Sequence, residues 1–150
     1  MQASSPAAVA DPLLETLAEF RYELRRFLHF SETAAREAGL EPQQHQLLLQ
    51  LAGAPAGSAT TIAFAAERLG LKHNSAVELV DRCVRESLLH RTVDAADKRR
   101  AILCITRKGN QVLARLTREH ARELNERAPM LVRTLRRVQA HATVAGGSRA

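Results

Sequence analysis

One segment, residues 71–109, restricts the possible folds more than any other part of the chain. It reads LKHNSAVELVDRCVRESLLHRTVDAADKRRAILCITRKG. Its apolar residues first repeat at three- and four-residue intervals, which predicts an amphipathic helix. Strands are then predicted at Leu88–Val93 and Ala101–Ile105, the second rich in branched apolar residues, joined by the polar loop DAADKRR. The segment is therefore expected to fold as a helix followed directly by a hairpin with a basic tip.

The residues before this segment predict a sharp turn between two short helices. A helix is expected from about Thr61, as its cap, to Leu69, with Gly70 ending it. Only residues 70–73 separate it from the next helix, which is the geometry of a helix-turn-helix. The inward-facing residues of that second helix are Ala76, Leu79, Val80, Cys83 and Val84.

Long helices are predicted on both sides of this module. An apolar stripe with spacings of 4, 3, 4 and 3 consists of Leu13, Leu17, Phe20, Leu24 and Phe27. Such a stripe packs either on its own chain or on a partner subunit. Pro42 begins another helix, which Gly53 ends, and a long helix after Thr106 is expected to be interrupted by Pro129.

The predicted organisation is a single domain, residues 1–150, mainly α with a small β-wing. Residues 1–11 and 143–150 are expected to be loose termini, residues 12–38 and 107–142 to form N- and C-terminal dimerisation helices, and residues 42–106 the winged helix-turn-helix. With four Phe, one Tyr and no Trp, the core must consist of Leu, Val and Ala.

The composition favours a polyanionic partner, since the formal net charge is +6. Basicity alone does not separate nucleic acid from an acidic membrane surface, so the distribution of the charge has to decide. The N-terminal region lacks a secretion signal, and no apolar run approaches the roughly 20 residues of a membrane span. We therefore expect a soluble, cytoplasmic protein that does not associate with membranes.

The motifs of common enzymes are absent from the sequence, which contains no Walker loop, GxGxxG, GxSxG or HExxH, so we expect neither catalysis nor a cofactor. The six His are scattered, and no second pair accompanies His120 and Glu123, so no metal site is expected. Cys83 on the buried face and Cys104 in the second strand are interpreted as packing residues rather than redox sensors.

The chain resembles the multiple-antibiotic-resistance regulator (MarR) family of winged-helix transcription factors over about residues 12–140. The resemblance is carried by LVDRCVRESLLHRTVDAADKRRAILCITRKG, in which Asp94, Asp97, Arg99, Thr106 and Gly109 match the family's wing pattern. Two residues depart from the pattern. Ser87 replaces the usual glycine, at a cost of about 1 kcal/mol if its backbone is left-handed, and Cys83 replaces a leucine.

This resemblance implies a sequence-specific regulator of double-stranded DNA, with repression the commoner mode. Base contacts are expected from the outer face at the start of the recognition helix, namely His73, Asn74, Ser75 and Val77. Alternatively, Asn74 caps that helix. Glu78, on the same face, either repels phosphates or accepts a hydrogen bond from a cytosine amino group. Phosphates are expected to meet Lys72, Arg82, Arg85, Lys98 and Arg100.

In the wing, the resemblance assigns Arg99 to the minor groove. Asp97 is expected to orient an arginine, while both Asp94 and Asp97 also suit tight-turn hydrogen bonding. A single wing and helix touch only a few base pairs, so a homodimer on a pseudo-palindromic operator is expected.

The family also implies a small aromatic effector, for which Tyr22, Arg25, His29 and His45 are candidate pocket residues, although each also suits an ordinary structural role. The alternative functions are a non-specific architectural DNA-binding protein and a winged-helix module that binds protein.

Overall fold

The computed structural model describes the backbone of residues 11–146 and the side chains of residues 11–141. Five helices and two strands follow one another along the chain: α1 (Pro12–Glu37), α2 (Pro42–Ala52), α3 (Ile62–Leu69), α4 (His73–Arg85), β1 (Leu89–Val93), β2 (Ala101–Ile105) and α5 (Arg107–Gly146). This architecture confirms the prediction of a mainly helical fold with a small β-wing.

The helix ends follow from local backbone chemistry. Asp11 Oδ1 accepts a hydrogen bond from Leu13 N at 2.9 Å at the start of α1. At the start of α2, Glu41 and Gln44 form a reciprocal capping box beside Pro42. Gly70 ends α3 in the left-handed region, with a φ of 63°. These caps set the short connections that bring the helices together.

The described chain divides into two compact units. We call residues 31–120 the winged-helix unit, and the described parts of residues 1–30 and 121–150 the helical unit. Both α1 and α5 pass from one unit into the other.

Aliphatic side chains form the core of the winged-helix unit, as the composition predicts. Its largest fully buried apolar side chains come from α2, α4, the wing and α5, and they include Leu47, Leu48, Leu79, Val80, Leu88, Leu89 and Leu116. No aromatic side chain of Phe or Tyr is buried among the described residues. Leucine packing therefore holds α4 and the wing in place.

The wing is an antiparallel pair of strands in which Leu89 lies opposite Ile105. Thr60 extends this ladder on the far edge of β2, because its carbonyl accepts from Leu103 N at 2.8 Å and its hydroxyl donates to Leu103 O at 3.0 Å. Gly109 lies against the base of the wing, where an added Cβ would come within 2.4 Å of Leu88 O. The start of α5 is thus packed against the wing through a glycine.

Polar side chains occupy the buried positions of the helical unit. Among the described residues of this unit, only Thr16, Glu23 and Thr134 are buried, and no apolar side chain is. Arg127 bonds Glu23 at 2.9 Å and Glu123 at 2.6 Å. Burial works against the charge of Arg127, but these hydrogen bonds outweigh it and raise its pKa.

The expected interruption at Pro129 is wrong, because α5 runs through it as one helix. Proline removes one backbone donor, and the carbonyl that loses this partner belongs to the exposed residue Asn125, where water can replace it.

At the termini, α5 continues to Gly146, beyond its expected end at residue 142. The predictions for residues 1–10 and 147–150 lie outside the described residues. No helix in the described part of the chain has the length and hydropathy needed to cross a membrane.

Candidate nucleic-acid interface

The turn between α3 and α4 fixes the position of the second helix. Thr61 Oγ1 accepts a hydrogen bond from Phe64 N at 3.2 Å, which caps α3. Leu71 N donates to Ala66 O at 2.9 Å across the left-handed Gly70, so α3 ends there and the chain turns within residues 70–72. Three residues, 70–72, therefore separate α3 from α4, which agrees with the short connection that the sequence predicts.

α4 has one buried and one exposed face. Ala76, Leu79, Val80 and Cys83 are buried, whereas the exposed side chains are His73, Asn74, Ser75, Glu78 and Arg85. Val77 is only half-buried. The alternative that Asn74 caps the helix is wrong, because the N-cap is Lys72, without a side-chain hydrogen bond. The Asn74 side chain remains available at the start of the exposed face.

Ion pairs from neighbouring elements hold several charges of α4. Asp81 accepts from Arg91 of β1 at 2.6 Å, and Arg82 pairs with Glu41 at 3.6 Å. The sequence did not indicate that Glu41 and Arg91 pair with residues of α4, because each lies outside that helix. The predicted phosphate contact Arg82 is thus tethered to the cap of α2, whereas Lys72 and Arg85 are exposed.

The wing loop is ordered by its two aspartates. Asp94 Oδ1 accepts from Ala96 N at 2.9 Å, and Asp94 Oδ2 accepts from Arg100 at 2.5 Å. The backbone bond, with help from Arg100, lowers the pKa of Asp94. Arg100 is therefore engaged in the loop itself, although it was expected to contact phosphates.

Asp97 binds Arg99. Its Oδ1 accepts from Arg99 N at 3.0 Å and from Arg99 Nε at 3.1 Å, and the side-chain bond is the main cause that lowers the pKa of Asp97. The Arg99 side chain is still 91% exposed. Lys98 is exposed beside it. The wing tip thus presents a guanidinium that is oriented by its own loop and open to a ligand.

A cleft of about 240 Å³ connects α4 with the wing. Its lining residues come from the start of α3, the start of α4 and the second half of the wing: Thr61, Ile62, Ala63, His73, Arg99, Arg100 and Ala101. The structure therefore brings the predicted base-reading end of α4 together with the predicted minor-groove arginine.

The base of the wing depends on Thr106, a hydrogen-bonding role that sequence reasoning did not assign. Its hydroxyl donates to Ser87 O at 2.7 Å and accepts from Gly109 N at 3.1 Å, which joins the end of α4 to the start of α5. Ser87 itself has a φ of 60°, the left-handed conformation for which the sequence anticipated a cost.

The four candidate ligand residues are divided between the two units. Tyr22, Arg25 and His29 are exposed on the part of α1 in the helical unit, and Tyr22 lies 5.5 Å from the Arg26 guanidinium. His45 is buried in the winged-helix unit, with its ring 4.7 Å from that of His120. Burial, followed by the charge of His120, lowers the pKa of His45 to about 4.

The two thiols and the side chains able to bind a metal ion are the other candidates for a regulatory switch. Cys83 is buried, and this burial, followed by the charge of Glu86, raises the pKa of its thiol to about 12, so it is a poor nucleophile near neutral pH. Cys104 is half-buried beside Thr92. The described residues contain no group of three or more His, Cys, Asp or Glu side chains suited to a metal ion.

Comparisons with known proteins agree with the fold. The MarR family model matches residues 38–100. The Staphylococcus aureus MepR–DNA complex is 19% identical with a TM-score of 0.66, covering 87% of this chain and 94% of that one. CouR from Rhodococcus jostii RHA1, bound to p-coumaroyl-CoA, is 15% identical with a TM-score of 0.68, covering 94% of this chain and 98% of that one. No curated protein sequence matches. The predicted fold is confirmed, and the predicted family resemblance is confirmed over residues 38–100.

Proposed function

We propose that this chain, which carries a MarR family winged-helix region at residues 38–100, is a sequence-specific transcriptional regulator that binds double-stranded DNA as a homodimer. The observation that carries the proposal is the cleft that both His73 of α4 and Arg99 of the wing line. A helix suited to the major groove and a cation suited to the minor groove therefore share one face. Repression follows most simply, because a bound dimer excludes other proteins from the duplex that it covers.

The proposed contacts divide into those that position the protein and those that read bases. The exposed cations Lys72, Arg85 and Lys98 neutralise phosphates without sequence preference. Asn74, at the start of α4, is suited to the N6 and N7 edge of adenine. Arg99 enters the minor groove with Asp97 holding its orientation. This division places sequence reading on α4 and most of the affinity on the cations around it.

Exposed apolar side chains of the helical unit support the homodimer. Leu14 is 65% exposed and Leu135 48% exposed, and Leu17, Leu28, Leu124 and Val132 are also exposed. A groove beside Pro129 and Val132 adds apolar surface on α5. Among its described residues the helical unit buries no apolar side chain, so it gains little hydrophobic stabilisation alone. Covering its exposed apolar side chains would contribute about 25 cal/mol for each Å² of apolar surface removed from water. We propose that a second copy of the same unit covers these side chains.

A small aromatic effector is part of the proposal. CouR, a solved structure similar to this chain, is bound to p-coumaroyl-CoA. Gln44 Nε2 and His45 Nδ1 are buried without a hydrogen-bond partner among the described residues, and a bound polar group would satisfy them. The effector is expected to release DNA, which a titration of the protein–DNA complex with a panel of aromatic acids would detect.

Selection of bound duplexes from a random pool tests the proposed function. A regulator of this kind should return a sequence with dyad symmetry, whose half-sites lie about one helical turn, roughly 10 base pairs, apart. An architectural protein should return no preferred sequence, and a winged helix that binds protein should not enrich duplex at all. Either outcome would contradict the proposal.

A further inference from the structure

Glu78 is an acidic side chain on the exposed face of α4 that has no partner among the described residues. The other acidic residue of α4, Asp81, is held by Arg91 at 2.6 Å. Glu41, which lies near the same helix, is held by Arg82 at 3.6 Å. Within the described part of the chain, the Glu78 carboxylate has neither an ion pair nor a hydrogen bond. Of the two acidic side chains of α4, Glu78 is therefore the one that remains uncommitted within the described residues, on the face proposed to meet a duplex.

The position of Glu78 places it among the base-reading residues. It follows Asn74 by four residues and Ser75 by three, so the three side chains lie on one face of the helix. Four residues advance a helix by about 6 Å, close to two base-pair steps of about 3.4 Å. If Asn74 meets one base pair, Glu78 meets the edge of a base pair about two steps away.

A carboxylate in a groove lined by phosphates needs a donor to offset the repulsion. In the major groove the donors are the N4 amino group of cytosine and the N6 amino group of adenine. Adenine presents its N7 acceptor beside N6, which repels the second carboxylate oxygen, whereas the cytosine edge carries no acceptor. Cytosine is therefore the base that suits an acceptor-only side chain.

An exposed cation reduces the cost of this arrangement. Glu78 shares a cleft of about 290 Å³ with Asp81, Arg82 and Arg85. Arg85 is exposed, and no ion pair within the described residues engages it. It can therefore neutralise a phosphate beside the groove while the carboxylate faces the bases.

We infer that Glu78 accepts a hydrogen bond from a cytosine N4 amino group and so specifies one C·G pair in each half-site of the operator. This inference rests on the proposed function, because it requires α4 to lie in the major groove.

The test is the random-pool selection repeated with Glu78→Gln and Glu78→Ala. The wild-type chain should select cytosine at one symmetric position, and a substitution there should weaken its binding about tenfold. Glu78→Ala should lose this preference. Glu78→Gln should shift it toward adenine, because an amide both accepts from N6 and donates to N7. Glu86→Gln, which removes the same charge from the exposed C-cap of α4, should keep the wild-type sequence.

The possible failures are distinguishable. If the wild-type chain selects no sequence, the proposed function fails and the inference with it. If the wild-type chain selects a sequence that both Glu78 variants select unchanged, only the inference fails. The inference also fails if both variants bind every duplex more tightly by the same factor, because Glu78 would then only repel phosphates.

Discussion

Acid should destabilise this protein through one buried histidine. His45 is 2% exposed, its ring packs against that of His120, and its Nδ1 has no hydrogen-bond partner in the described part of the chain. Burial, followed by the charge of His120, lowers its pKa from 6.5 to about 4. Between these two values the unfolded chain binds a proton at this position that the folded chain does not.

The sign and size of the effect follow from proton linkage. Because the folded pKa lies below the unfolded value, stability is full above about pH 6.5 and is lost as the pH falls toward 4. One pKa unit corresponds to about 1.4 kcal/mol, so the complete loss is roughly 3 kcal/mol. About 2 kcal/mol of this loss falls between pH 7 and pH 5.

Urea unfolding at pH 7 and pH 5, at one protein concentration, measures this loss. His45→Leu introduces an apolar side chain of similar size that cannot titrate. The difference between its loss of stability and that of the wild type therefore removes the contribution of the carboxylates. The wild type should lose about 2 kcal/mol more than His45→Leu on going to pH 5. His29→Leu, at an exposed position of α1, serves as the control and should behave as the wild type. Equal losses in the wild type and His45→Leu would refute the reasoning.

Three further substitutions test separate parts of the structure. Ser87→Gly should raise the free energy of unfolding by up to about 1 kcal/mol, because glycine carries no Cβ at a φ of 60°; a less stable variant in denaturant unfolding would contradict this. Arg127→Met should lower the free energy of unfolding by about 3–5 kcal/mol, because Glu23 and Glu123 lose their shared partner. The control Arg36→Met, which breaks an exposed ion pair with Glu32, should lower it by at most about 1 kcal/mol. Arg99→Ala should leave the free energy of unfolding unchanged but weaken operator binding, and it should reduce the slope of log affinity against log salt by about 1 per protomer. Unchanged affinity and slope would argue against the minor-groove role.

The features that sequence predicts best are those set by residues close in the chain. Asp11, Thr61 and Gly70 fix helix ends through bonds within a few residues, and the predicted helix boundaries follow them. The wing was predictable for the same reason, because its strands are consecutive and differ in composition from the loop between them. Ser87 was anticipated as strained because glycine is usual at that position of the family.

Contacts between distant residues could not be predicted in this way. Glu23 and Arg127 are 104 residues apart, and nothing in the local pattern of either helix indicates that they pair. The contact of His45 with His120 is equally non-local, so the sequence allowed either a pocket role or an ordinary helix role for His45 and did not indicate its histidine neighbour. The prediction at Pro129 was wrong for another reason. The rule that proline interrupts a helix considers only the local backbone, and α5 continues through Pro129 where the affected carbonyl belongs to an exposed residue.

The most direct test of a sequence-specific regulator is the ratio of its affinities for its own operator and for random duplex. A competition experiment at physiological salt, with the selected sequence as the labelled duplex, gives this ratio without knowledge of the regulated genes. The account predicts a preference of about 10³ or more for the selected sequence. A ratio near one would contradict the claim that α4 and the wing read sequence.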